Sequence, residues 1–189
     1  DYTWGHTQYD SIKQFTEAEG WTTVNNIMTP LGSSDYSQFL TQVLNSDADV
    51  LVLNHYGQDM VNSLTQAVQF GMRDMQKNGK DMQIVVPLYS RLMAQGAGAA
   101  NIEGVYGSTN WNWTLEDEGS QAFVTSFEKE YGFPPSQAAQ TCYVQTIMYA
   151  DACERAGTFY PPEVIKSLEG HSFTGAGPGE AMYRADDHQ

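Results

Sequence analysis

Apolar residues along this chain fall into two alternating rhythms, a three-to-four-residue spacing and short unbroken runs. The opening "DYTWG" reads as the end of a β-strand turning over, and "HTQYDSIKQF" follows as a helix with Tyr9, Ile12 and Phe15 on one face. "WTTVNNIMTP" predicts a short strand over Trp21–Met28, ended by Pro30. Ser33, Ser34 or Asp35 then caps a helix whose inner face carries Tyr36, Phe39, Leu40, Val43 and Leu44. "DVLVLN" is too apolar to alternate, the pattern of a strand buried on both faces. "GQDMVNSLTQAVQFGM" is a helix with Met60, Val61, Leu64, Ala67 and Val68 inward and Gly71 as its stop. "MQIVVP" is a second buried strand, a weak helix covers Ser90–Gln95, and "IEGVYGST" is a third strand. Helix and strand thus alternate over residues 1–109, which argues for an α/β unit with a mainly parallel sheet.

Beyond "NWNWT" the rhythm changes. "EDEGSQAFVTSFEKEYG" is a helix with acids in its first turn and Gly132 at its end. "SQAAQTCYVQTIMYADACERAG" is a long helix with Ala139, Cys142, Tyr143, Ile147, Ala150 and Cys153 on its inner face. "PPEVIKSLEG" starts a short helix with proline in its first turn, and "GEAMYRADDHQ" offers one short strand. No strand-like run separates the three helices, so their apolar faces need a sheet that these residues do not supply.

Composition adds exclusions. Nine basic residues against 23 acidic ones give a net charge of −14, a field that repels a phosphate backbone and argues against nucleic-acid binding. No apolar run reaches the length of a membrane span. Cys142 and Cys153, if on one helix, stand ~16 Å apart along its axis. A disulfide needs Cα atoms within ~7 Å. They therefore do not pair, and they read as small buried residues.

Candidate chemistry is sparse. "GAGPGE" at Gly175–Glu180 lacks the Lys-Ser/Thr that reaches phosphates, and it reads as a turn. His6, His55, His171 and His188 contain no i,i+4 pair, so a metal site is not expected. Ser90 and Ser108 lack a nucleophile elbow, and no enzyme signature is visible. The carboxyl ends of the strands are more informative, because open α/β sheets bind ligands there. In order these ends carry Trp4, then Asn54, His55 and Tyr56, then Leu88 and Tyr89, then Trp111 and Trp113. Aromatics with a few polar groups suit a small-molecule cleft. The alternative is that they merely cap the core.

Taken in order, "DYTWGHT", "MTPLGSSDYSQFLTQVLNSDADVLVLN", "TQAVQFGM", "IEGVYGST", "YGFPPSQAAQTCYVQTIMYADACERAGT" and "VIKSLEGHSFTGAGPGEAMYRADDHQ" resemble the branched-chain amino-acid-type periplasmic substrate-binding proteins of ABC transporters. The resemblance implies the type I periplasmic binding fold: an α/β chain with a parallel sheet flanked by helices in the second lobe, plus helices belonging to the first lobe. Residues 1–109 would be most of the second, C-terminal lobe, 110–113 a crossover, 114–170 first-lobe helices, and 171–189 a return to the second lobe. It also implies a C-terminal fragment lacking the strand before Asp1, whose orphan faces await the N-terminal part of the same protein or a second chain.

By the same resemblance the chain is part of an extracytoplasmic, periplasmic solute-binding subunit. Without metal or cofactor, it would close two lobes on a small organic ligand and dock on a membrane permease. The alternative is a ligand-sensing domain of a receptor, or an amide-sensing regulator, of the same fold. Trp4 falls where the family sets an aromatic against the ligand, as "WG" in place of "YG", and Tyr56 falls at another cleft aromatic, with Asn54 and His55 beside it. The family's acid for an α-ammonium group would fall at Leu88, where no acid stands; Tyr89 offers only a neutral group, and Asp59 falls on a first helical turn, where it serves the helix N-terminus. The ligand expected is an apolar or aromatic carboxylate, or an amino-acid-like compound.

Overall fold

The computed structural model describes residues 2–188. The chain divides into two compact units, 1–109 and 110–189.

The first unit is a three-stranded parallel sheet with helices between its strands. Helix α1 (Thr3–Ala18) leads through an extended segment to α2 (Ser37–Leu44), β1 (Val50–Val52) and α3 (Gln58–Gln69). A small antiparallel hairpin, β2 (Gln76–Lys77) and β3 (Lys80–Asp81), precedes β4 (Gln83–Val86), α4 (Arg91–Ala97), α5 (Ala99–Ile102) and β5 (Tyr106–Gly107). The sheet order is β1-β4-β5, with Leu51 opposite Ile84 and Val85 opposite Tyr106.

The expected periodicities produce this core. Tyr36, Leu40 and Val43 of the α2 segment and Met60, Leu64 and Ala67 of α3 are buried with Met82, Ile84 and Val86. Full burial of each large apolar side chain is worth about 1.5–3 kcal/mol, so these three rows dominate the unit's stability. Ser90 caps α4 by accepting the Met93 N–H at 3.1 Å. Gly71, just past α3, and Gly132, later in the chain, take the left-handed conformation expected of helix stops.

Four expectations fail in this unit, each for a physical reason. The helix begins at Thr3, so Trp4 lies on its first turn and not on a strand end. The α1 face of Tyr9, Ile12 and Phe15 is not a core face: none is buried, and Phe15 is 70% exposed. Trp21–Met28 forms no strand, because a strand needs a paired neighbour and β1 pairs with β4 alone. For the same reason β1 is an edge, and Val50, Leu51 and Val52 are half-buried where burial on both faces was expected. A cavity of about 1330 Å³ runs along that edge, with Ile12, Ile27, Val50 and Val52 in its lining.

The second unit contains α6 (Glu118–Tyr131), α7 (Gln137–Ala156), α8 (Pro161–Leu168) and a hairpin of β6 (Ser172–Thr174) with β7 (Glu180–Met182). "GAGPG" is the turn of that hairpin, and Gln140 Nε2 donates to Ala176 O within it at 2.6 Å. α7 packs on α8 through Ala152, Cys153 and Val164. Its expected inner stripe is not buried: of that stripe only Cys153 is, while Cys142, Tyr143 and Ile147 are exposed. The apolar spacing is present, but no strand among the described residues covers it. Both cysteines are free, so the expected lack of pairing holds, while the expected burial holds for Cys153 only.

Candidate functional site

At the carboxyl end of β1 the chain turns through Asn54, His55 and Tyr56 into α3. Leu53 N–H donates to Val85 O at 2.8 Å, so the backbone is still tied to β4 immediately before the turn. Trp4, Pro30, Leu31, Asn54 and Tyr56 line a shallow cleft there. Trp4 is half-buried, stacked on Tyr2 with ring centroids 6.1 Å apart, and Tyr56 is 44% exposed. The structure thus brings Trp4 and Tyr56 to one cleft. Asn54 Oδ1 is a buried acceptor without a hydrogen-bond partner beside them.

His55 faces the same cleft edge, yet both of its ring nitrogens have protein partners. Nε2 lies 2.9 Å from Thr29 Oγ1 and Nδ1 lies 2.8 Å from Ser63 Oγ, while the ring packs 5.0 Å from that of Tyr36. Burial lowers the pKa of the imidazole against the opposing charge of Asp59, which keeps the ring neutral. Burial, and then the charge of Asp59, push the Tyr36 phenol up to about 12.

One face of α3 binds the preceding loop at several points. Asp59 Oδ2 accepts the Gly32 N–H at 2.9 Å, Asn62 donates to Ser33 O at 3.3 Å, and Gln66 donates to Ser34 O at 2.9 Å while accepting the Tyr36 N–H at 2.7 Å. With Ser63 these residues occupy positions i, i+3, i+4 and i+7 of one helical face. Asp59 thus stands in the first turn of α3, where its charge suits the helix N-terminus as expected, and it also holds the loop. The polar row was visible as spacing, but its target loop was not.

The remaining sequence candidates lie elsewhere. Leu88 and Tyr89 follow β4 and do not line this cleft. The buried Tyr89 hydroxyl has no hydrogen-bond partner, and burial raises its pKa. Trp111 belongs to the second unit, 4% exposed, with Nε1 donating to Ser120 Oγ at 2.8 Å and its ring edge-on to Phe123 at 5.9 Å. Its indole is a core group of that unit, so the core-cap reading applies to it. Among the described residues no cluster of three or more potential metal ligands occurs, and no helix is long and apolar enough to cross a membrane.

A parallel α/β sheet with an aromatic-lined cleft beyond the carboxyl end of a strand has the build of an open α/β ligand-binding protein. The chain belongs to the periplasmic binding protein family, whose model matches residues 1–189, and its fold is the type I periplasmic binding fold. A similar solved structure is an amino acid ABC transporter substrate-binding protein from Pseudomonas fluorescens Pf-5, at 26% identity and TM-score 0.85 over 100% of this chain and 49% of that one. A periplasmic binding protein from Burkholderia mallei matches at 22% identity and TM-score 0.84, over 97% of this chain and 47% of its own. An R. palustris solute-binding protein in complex with benzoate matches at 17% identity and TM-score 0.81, over 98% and 49%. The chain thus spans about half the length of these relatives. Comparison with curated proteins gives no match.

Proposed function

We propose that this chain contributes one wall of the ligand cleft in the solute-binding subunit of an ABC importer, outside the cytoplasmic membrane. In this reading residues 1–109 are most of the second lobe and 110–113 a crossover. Residues 114–170 are first-lobe helices, and 171–189 return to the second lobe. The first lobe supplies the other wall, and closure of the two buries the ligand before the protein docks on its permease.

The observation that carries the ligand class is the aromatic and apolar lining of the cleft. Asp59 at its edge sits on the first turn of α3 and is bound to the loop through the Gly32 N–H. An α-ammonium group entering a nearly dry cleft loses several kcal/mol of hydration and needs a carboxylate to offset it. Trp4, Tyr56 and the apolar Leu31 instead suit an aromatic or aliphatic body. The preferred ligand is therefore an apolar or aromatic carboxylate without an α-ammonium group, its acid held by the other lobe. The benzoate of the R. palustris protein is an example of that class on the same fold.

A thermal-shift and calorimetric comparison of phenylpropionate with phenylalanine, on the intact protein, tests this. Stabilisation by phenylpropionate is expected. Stabilisation by the amino acid alone would overturn the ligand class.

A further inference from the structure

His55 is placed like a ligand residue but bonded like a structural one, and the two facts together define a different role. Its Nδ1 partner, Ser63, is fully buried and absent from the lining of the aromatic cleft. The Ser63 hydroxyl donates to Met60 O at 3.2 Å, so toward His55 it can only accept. Nδ1 must then carry the proton. In a neutral imidazole this leaves Nε2 as the acceptor for the Thr29 hydroxyl, 2.9 Å away. The direction of every proton in the chain Thr29–His55–Ser63–Met60 follows from that one carbonyl of α3.

The chain has a mechanical meaning. Thr29 begins the segment whose Pro30 and Leu31 form the cleft wall near Trp4. The bonds of Asp59, Asn62 and Gln66 hold the following residues Gly32, Ser33, Ser34 and Tyr36, but none of them reaches Thr29. His55 ties the start of the wall to α3 through its two ring nitrogens. We infer that His55 is a positioning residue: as the Nδ1–H tautomer it fixes the Thr29–Leu31 wall against α3, and it does not itself touch the ligand.

The inference rests on the reading of this cleft as a ligand site, and two measurements on the intact protein keep the two apart. The first is independent of any ligand. Long-range proton–nitrogen spectra of the histidine-labelled protein near neutral pH are expected to show an Nδ1–H imidazole that disappears in His55→Gln. In Ser63→Ala that ring should lose the Nδ1–H pattern. An Nε2–H or doubly protonated His55 in the unsubstituted protein would overturn the inference.

The second measurement uses benzoate and leucine as probes. Ser63→Ala removes one hydrogen bond remote from the cleft, and it should weaken the bound probe about fivefold. Thr29→Val should do the same, and the double substitution should cost no more than either alone, because both break one relay. Unchanged affinity in Ser63→Ala, with the tautomer switched and the melting transition intact, would overturn the positioning role. If neither probe binds the unsubstituted protein, the ligand reading above falls, and the imidazole spectrum still decides the tautomer.

Discussion

The ring of Tyr89 closes over the backbone of Gly107: a Cβ added at Gly107 would stand 2.5 Å from Tyr89 Cδ1 and 2.7 Å from Tyr89 Cβ. The two residues are held in register by the Tyr89 N–H, which donates to Ser108 O at 2.9 Å. Gly107 lies in β5, the other edge of the sheet, and its lack of a side chain lets the loop after β4 pack across it.

Gly107→Ala should therefore destabilise the protein by about 1–3 kcal/mol, the usual cost of overpacking, as Tyr89 is forced out of its place. Urea denaturation followed by far-ultraviolet circular dichroism measures it. A loss under half a kilocalorie would mean that Tyr89 moves aside freely.

Stability should also depend on pH through His55. Burial holds its pKa below the ordinary value of 6.5. The unfolded chain therefore binds a proton that the folded chain refuses, and stability falls as pH drops from about 6.5 toward the lowered folded value. Above 6.5 the contribution is complete. Denaturation midpoints at neutral pH and near pH 5, in the protein and in His55→Gln, should show a smaller acid-side loss in the variant.

Trp4 is the aromatic anchor of the proposed cleft. Trp4→Ala should weaken binding by about 2 kcal/mol or more if the ring is a buried contact in the liganded state. Calorimetry with benzoate or phenylpropionate on the intact protein reads the change, and ligand should shift a component of the tryptophan emission that is lost in Trp4→Phe. Unaltered affinity in Trp4→Ala would move the ligand elsewhere.

Residues 1–189 produced alone should self-associate. Phe15 is 70% exposed, Phe159 77%, and Tyr143, Ile147 and Tyr149 lie exposed on α7. Exposed apolar surface of this kind seeks cover. Light scattering coupled to size exclusion should report species above the monomer mass, and a monodisperse, cooperatively unfolding monomer would contradict the expectation.

Local pattern carried much of the first unit. Met60, Leu64 and Ala67 recur as a buried helical row, and they are buried because β4 and the α2 segment present matching apolar faces. Where burial depends on a distant partner, pattern was not enough. Trp21–Met28 has the β-branched and aromatic residues of a strand, yet no strand among the described residues pairs with it. Tyr143 and Ile147 lie on an apolar stripe that packs on no strand among the described residues. The site divides the same way. Tyr56 could be singled out as an aromatic at a strand–helix turn and Trp4 by the likeness of "WG" to the family's "YG", but the bond from His55 to Thr29 spans 26 positions and has no local signature. The spacing of Trp111 matches a cleft aromatic, while its burial, its contact with Phe123 and its bond to Ser120 make it a core group of the second unit.

The one-sided pairing of β1 also sorts its amides in time. Leu53 N–H is held by Val85 O, and alternate amides along a strand face opposite edges, so Val52 N–H points to the unpaired side. In deuterated solvent the two neighbours should exchange at very different rates, although they share one turn of sheet and one core. Any strand that docked along β1 would slow Val52 and leave Leu53 almost as it was. A single amide thus serves as a clock for the closing of that edge.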